Sequence, residues 1–125
     1  LGAQVFADKA ALARLEAIVH PAVAARRAAF LAQHHDKRAV LFDIPLLFEK
    51  GGHENVDLIV VVSAPHDVQR ARVLARPGMT AQKFDHIFSL QLHDGEKRAR
   101  ADYVIDTGTS LEETGAQVAA LIASL

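Results

Sequence analysis

Two short apolar runs, AVLFDI at 39–44 and VDLIVVV at 56–62, constrain this chain more than any other feature. Each is unbroken and rich in β-branched or aromatic residues. A strand with one wet face alternates apolar and polar side chains, whereas a strand covered on both faces has no need to. Continuous runs of this length therefore suit a parallel sheet with helices on both sides. Tyr103–Ile105, in the stretch EKRARADYVID, repeats the pattern. Strands that alternate with helical stretches make βαβ units, so the expected fold class is α/β with a parallel sheet.

The intervening segments carry helix signals. Leu12, Leu15, Ile18 and Val19 recur at helical spacing behind Asp8, a good N-cap. Pro21 is expected to break or kink that helix at His20, because the residue before a proline is pushed out of the α region. A second helix should then run to about Gln33, with Val23, Phe30 and Leu31 inward and Arg26 and Arg27 outward, before the polar loop HHDKR. After the second strand, Ser63 or Ala64 is placed to cap, Pro65 suits a first turn, and Pro77-Gly78 ends the helix. Thr80 opens another, with Phe84, Ile87 and Phe88 as its apolar stripe. Ser110 and Glu113 make a capping box, leading a last helix that carries Leu111, Val118, Leu121, Ile122 and Leu125.

Bulk properties exclude several function classes. Half the residues are hydrophobic and 23% are charged, an ordinary globular balance that argues against disorder. A formal net charge of −1 gives no electrostatic pull toward nucleic acid or acidic membranes. The absence of cysteine excludes disulfides and thiolate metal sites, and no apolar run approaches the ~18 residues of a membrane span. A cytoplasmic location is the expectation. The sole methionine is Met79, and 125 residues with so few strands suggest a piece of a longer domain.

Three motifs could carry chemistry. Asp43 closes its apolar run where ligands bind in open α/β sheets, beyond the strand's carboxyl end. It reads either as a Walker-B-like carboxylate near a metal-bound phosphate or as an acid capping the next turn. Pro45, Leu46, Leu47, Phe48 and Glu49 follow, projecting apolar surface either into a ligand cleft or beneath neighbouring helices. Arg72 and Arg76 are spaced to share one helix face, with Arg98 and Arg100 further on. Guanidinium groups suit phosphate oxygens through planar, permanently charged contacts, and the excursion between Pro77-Gly78 and Gly95 has the punctuation of a lid. The alternative is a solvated basic face. Seven histidines, including the His34-His35 doublet, show no metal-ligand spacing, so no metal is assigned to them. There is no G-x-x-x-x-G-K-[ST], G-x-G-x-x-G, G-x-S-x-G or H-E-x-x-H, and so no complete catalytic site.

Taken together, LEAIVHP, DIPLLFEKG, DLIVVVSAP, QRARVLARPGMT, Gln91, EKRARADYVID and SLEET resemble dephospho-CoA kinase, in order and spacing, over essentially the whole chain. The resemblance implies a partial P-loop kinase, three-layered around a parallel sheet, with a helical CoA-binding part and a helical lid. It implies transfer of the γ-phosphoryl of ATP, with Mg²⁺, to the 3′-hydroxyl of dephospho-CoA, the last step of coenzyme A synthesis. Residues 1–36 would be the CoA-binding part, 37–70 and 101–125 the nucleotide-kinase core, and 71–100 the lid. The first strand, the Walker A loop and the acidic base would lie outside this sequence, leaving the isolated chain inactive. By the same resemblance His20 and Pro21 belong to the CoA part, and Pro45 to Glu49, with Asp43, to the acceptor cleft. Arg72 and Arg76 fall on the lid arginines, Arg72 as the catalytic one, with Arg100 and Thr107 on the ATP side. The family often has asparagine where this chain has Thr107. A non-catalytic binding or dimerisation remnant of the fold, or a nucleotide kinase with another acceptor, are the other readings.

Overall fold

The computed structural model describes residues 8–125, and several of its helices begin where short polar side chains reach unpaired N–H groups. In chain order the elements are α1 (Lys9–Gln33), a 3₁₀ turn (Gly52–Asn55), β1 (Val60–Ser63), α2 (His66–Leu74), α3 (Ala81–Ser89), α4 (Asp94–Ala99), β2 (Tyr103–Asp106) and α5 (Leu111–Ser124). Asp8 Oδ1 accepts from the N–H groups of Ala10 and Ala11 at 2.8 and 3.1 Å. Thr80 Oγ1 accepts from Lys83 N, and Ser110 and Glu113 exchange both bonds of the capping box. Each such cap contributes on the order of 1 kcal/mol. The remaining expected cap is corrected: Ser63 is the last residue of β1, and α2 starts behind Pro65, which has no side chain to offer.

The described residues divide into two compact units, one ending at Phe42 and the other spanning Asp43–Leu125. In the first, α1 runs without interruption through Pro21, so the expected break at His20 is not present. Proline removes the bond to the Ala17 carbonyl at a cost of about 3 kcal/mol. The residue lies on an exposed face where solvent can satisfy that carbonyl, and the turns on either side propagate cooperatively. The residues expected to face inward are also corrected: Val23 is 59% exposed, and Phe30 and Leu31 are exposed as well. Phe42 packs on this helix, edge-on to Phe30 at 6.3 Å and beneath the Arg27 guanidinium at 4.4 Å.

In the second unit β1 and β2 pair in parallel, with Val60 beside Tyr103 and Ser63 beside Asp106. Asp102 fixes that register from just outside the strand: its Oδ2 accepts from Ile59 N at 2.7 Å, and its N–H donates to Ile59 O at 3.0 Å. Residues 39–44 form no strand, contrary to expectation, and Leu41 is 86% exposed. Composition makes a segment ready to be a strand, but hydrogen bonds to a neighbour make it one. Among the described residues the sheet pairs β1 with β2 alone, and this segment takes no part in it. The described fold is thus mostly helical around a two-stranded parallel sheet, smaller than the three strands expected.

Val61, Phe84 and Ile105 are the buried apolar residues, joined by the buried hydroxyl of Ser63. The α3 stripe divides, with Phe84 buried, Phe88 half-buried and Ile87 exposed; α5 likewise half-buries Val118 and Leu121 but exposes Leu111 and Ile122. Gln117 of α5 holds the end of β2, donating to Asp106 O at 3.0 Å and accepting from Asp106 N at 2.8 Å.

Candidate functional site

The carboxyl ends of β1 and β2 open into a cavity of about 400 Å³ walled by α2 and α3. Ser63 and Thr107 line its strand side, and Arg72, Arg76, Phe84, Phe88 and Asp94 are among the residues around it. In a parallel arrangement this end of the sheet is where ligands bind.

A continuous polar network builds the strand side. Thr107 follows β2 and gives both its N–H and its Oγ1–H to Ser63 O, at 2.8 and 2.9 Å. Its own carbonyl accepts from Arg72 Nη2 at 2.8 Å. Ser63 Oγ donates to Asp94 Oδ2 at 2.8 Å, which ties α4 to the end of β1. Gly108 is part of this construction. A Cβ on it would lie 2.5 Å from Pro65 Cδ and 3.0 Å from Asp106 Oδ1, so the turn after β2 can pass the start of α2 only as glycine.

Arg72 and Arg76 do not share the helix face that their spacing suggests, because α2 ends at Leu74 and Arg76 lies in the turn beyond the Ala75 cap; both nevertheless line the same cavity. Among the described residues neither guanidinium is paired with a carboxylate. Two aromatic rings also line the cavity, Phe84 and Phe88, stacked at 5.6 Å. Two cations and two apolar rings around one cavity at the strand ends are the chemistry of a site for an anionic ligand with a flat apolar part.

The other expected site residues lie elsewhere. His20 and Pro21 are exposed on α1 in the first unit. Asp43 is exposed and, with 39–44 not a strand, does not close a strand end, so the Walker-B-like placement is corrected. Pro45 is exposed, while Leu46, Leu47, Phe48 and Glu49 are half-buried in the turn at 45–50. Arg100 sits at the C-cap of α4, 5.7 Å over the Phe48 ring, outside the cavity. Glu49 faces α4: its Oε1 accepts from Leu92 N at 2.8 Å and from Lys97 Nζ at 3.0 Å. Burial pushes its carboxyl up, but the Leu92 N–H, its own N–H and the Lys97 ammonium together outweigh that, leaving it below the usual carboxylate range. Among the described residues no group of three or more His, Asp or Glu side chains is arranged to hold a metal ion. No helix among them is long and apolar enough to cross a membrane.

Asp94 and Lys97 were not singled out from the sequence, and Ser63 was read only as a possible helix cap. Asp94 and Lys97 carry only the signal of an acid at the start and a base at the end of a short helix, which is ordinary dipole compensation.

The family model for dephospho-CoA kinase matches residues 1–113. A dephospho-CoA kinase of Novosphingobium aromaticivorans is 64% identical over the whole chain, which covers 62% of that protein. One from Mesorhizobium japonicum is 55% identical, again over the whole chain and 64% of the relative. Among solved structures, a Thermus thermophilus protein superposes with a TM-score of 0.77 at 34% identity, over 99% of this chain and 64% of its own. The dephospho-CoA kinase of Campylobacter jejuni superposes with a TM-score of 0.68 at 25% identity, over 98% and 62%. The chain therefore spans somewhat under two-thirds of the length of the relatives it matches.

Proposed function

Because the chain belongs to the dephospho-CoA kinase family, we propose that it is the acceptor-binding and arginine-bearing portion of an enzyme that moves the γ-phosphoryl group of ATP to the 3′-hydroxyl of dephospho-CoA. The observation that carries the reading is the convergence of Arg72 and Arg76 on the cavity at the strand ends, beside Thr107. Phosphoryl transfer asks little covalent chemistry of a protein; it asks for alignment and for neutralisation of charge on the phosphate oxygens. Arg72 is held by the Thr107 carbonyl through one N–H, which orients its planar fork and leaves its other N–H groups for those oxygens. Arg76 supplies a second cation from the turn beyond the helix end.

In this reading residues 71–100 are the lid, the first unit with His20 and Pro21 is the CoA-binding part, and the turn from Pro45 to Phe48 faces the acceptor. The residues around it are the nucleotide-kinase core of a three-layered P-loop kinase. Arg100 lies over Phe48, at the C-cap of α4. Magnesium accompanies ATP in this chemistry; among the described residues no group of three or more His, Asp or Glu side chains is arranged to hold a metal ion, and Asp94, the acid at the cavity, is engaged by Ser63. No step here runs through the ion. The test is whether the complete polypeptide containing this chain, given ATP and dephospho-CoA, yields ADP and CoA in equal amounts. ATP consumption without CoA would instead indicate another acceptor.

A further inference from the structure

We propose that Glu49 and Lys97 form a brace that fixes the turn at 45–50 relative to the arginine cavity, making both positioning residues and removing Glu49 from the acceptor's contacts. The inference rests on the phosphotransfer reading only for the identity of the substrate that the turn faces.

The Glu49 carboxylate is turned away from solvent. Its Oε1 is taken by Leu92 N and Lys97 Nζ, its Oε2 is shut off from solvent, and the paired side chains are only 16% and 19% exposed. One oxygen is thus held by two donors, and the other, buried without a hydrogen-bond partner, has no open path to a ligand in solvent. A charge so placed is tolerated because its counter-charge and a main-chain N–H come with it, and removing one partner leaves the other uncompensated. The bonds are also long-range, Glu49 and Leu92 being 43 residues apart, so they fix tertiary geometry and not a local turn.

What the brace holds follows from α4. Lys97 lies three residues beyond Asp94, on the same helix face. Asp94 accepts from Ser63 Oγ, Ser63 O accepts from Thr107, and Thr107 O accepts from Arg72. An unbroken sequence of polar contacts and one helical turn thus leads from the turn at 45–50 to the guanidinium. Arg100, over Phe48, ties the other end of α4 to the same turn. Two reacting groups brought from opposite sides need such a tie, since about 1 Å of misplacement is enough to cost roughly 10²-fold in rate.

The test uses the complete polypeptide with Glu49→Gln, Lys97→Met, the double variant and the conservative Lys97→Arg. Two readouts are taken: amide hydrogen exchange at Lys50–Gly52 and Leu92, and steady-state kinetics with each substrate varied. Exchange at these amides should accelerate in Glu49→Gln, Lys97→Met and the double variant, and stay near wild type in Lys97→Arg. The KM for dephospho-CoA should rise about tenfold in either single variant while the KM for ATP stays within about twofold, and the double variant should be no worse than the poorer single one. The double variant leaves no lone charge and serves if a single variant does not fold. Should wild type make no CoA, the phosphotransfer reading fails, and exchange alone still judges the brace. Unchanged exchange at Lys50–Gly52 and Leu92 in the variants, or equal effects on both KM values, overturns it.

Discussion

Gly108 offers a substitution whose cost can be worked from geometry. In Gly108→Ala the new methyl would stand 2.5 Å from Pro65 Cδ, 3.2 Å from Pro65 Cγ and 3.0 Å from Asp106 Oδ1. Carbon atoms rest at about 3.5–4.0 Å, so roughly 1 Å must be found. Pro65 cannot yield by rotating a side chain, because its ring is closed on the backbone that starts α2. Overpacking of this kind typically costs about 1–3 kcal/mol, against a gain of roughly 0.4–1 kcal/mol from stiffening the unfolded chain, for a net loss of about 1–2 kcal/mol. The displaced element carries Arg72, so kcat/KM of the complete polypeptide should fall more than stability alone explains. Gly115→Ala is the internal control: it lies within α5 with nothing within 4 Å of the added methyl, and should stabilise by about 0.5–1 kcal/mol. Urea denaturation of both variants reads the difference directly. Gly108→Ala as stable as wild type would refute the reasoning, since the close approach of Pro65 would then impose nothing.

Three further outcomes follow from the structure. Gln117→Leu removes the acceptor of Asp106 N and the shortest of three side-chain donors to Asp106 O, leaving Thr109 and Thr114 on that carbonyl, and should destabilise by about 1–2 kcal/mol in denaturant titration, without the change in ATP KM expected of cavity residues. Since Glu49 ionises more readily folded than unfolded, its contribution is full above the unfolded carboxylate value and is lost as pH falls through its lower folded value. Stability of wild type and Glu49→Gln, compared across acid pH, should therefore converge at the low end. Pro21→Ala should lengthen the thermal survival of α1, followed by circular dichroism, by restoring the bond to Ala17 at an exposed position, and under the proposed reading it should raise the KM for dephospho-CoA.

What the sequence disclosed was mostly local. Asp8, Thr80 and the Ser110–Glu113 box could be placed because a cap bonds residues two or three positions away, so its whole chemistry fits in one short window. The runs that became β1 and β2 stood out by composition, although only Val60–Ser63 of the first is strand. Residues 39–44 carry the same composition and form no strand, because pairing depends on a neighbour that composition does not specify. Pro21 shows a local rule overridden by the helix on both sides of it. Arg72 and Arg76 could be grouped by spacing, whereas Ser63 with Asp94 and Glu49 with Lys97 could not. With 15 acidic and 14 basic residues, charge alone allows too many pairings, and only the fold selects among them.

The central claim is that Arg72 serves the phosphate being transferred, and steady-state kinetics of Arg72→Ala in the complete polypeptide tests it most directly. Loss of a charge that stabilises the transition state should lower kcat/KM by about 10²–10³, with Arg72→Lys recovering only part because a point charge replaces a planar fork. Wild-type kcat and ATP KM in Arg72→Ala would contradict the account and leave the guanidinium on Thr107 as a structural contact alone.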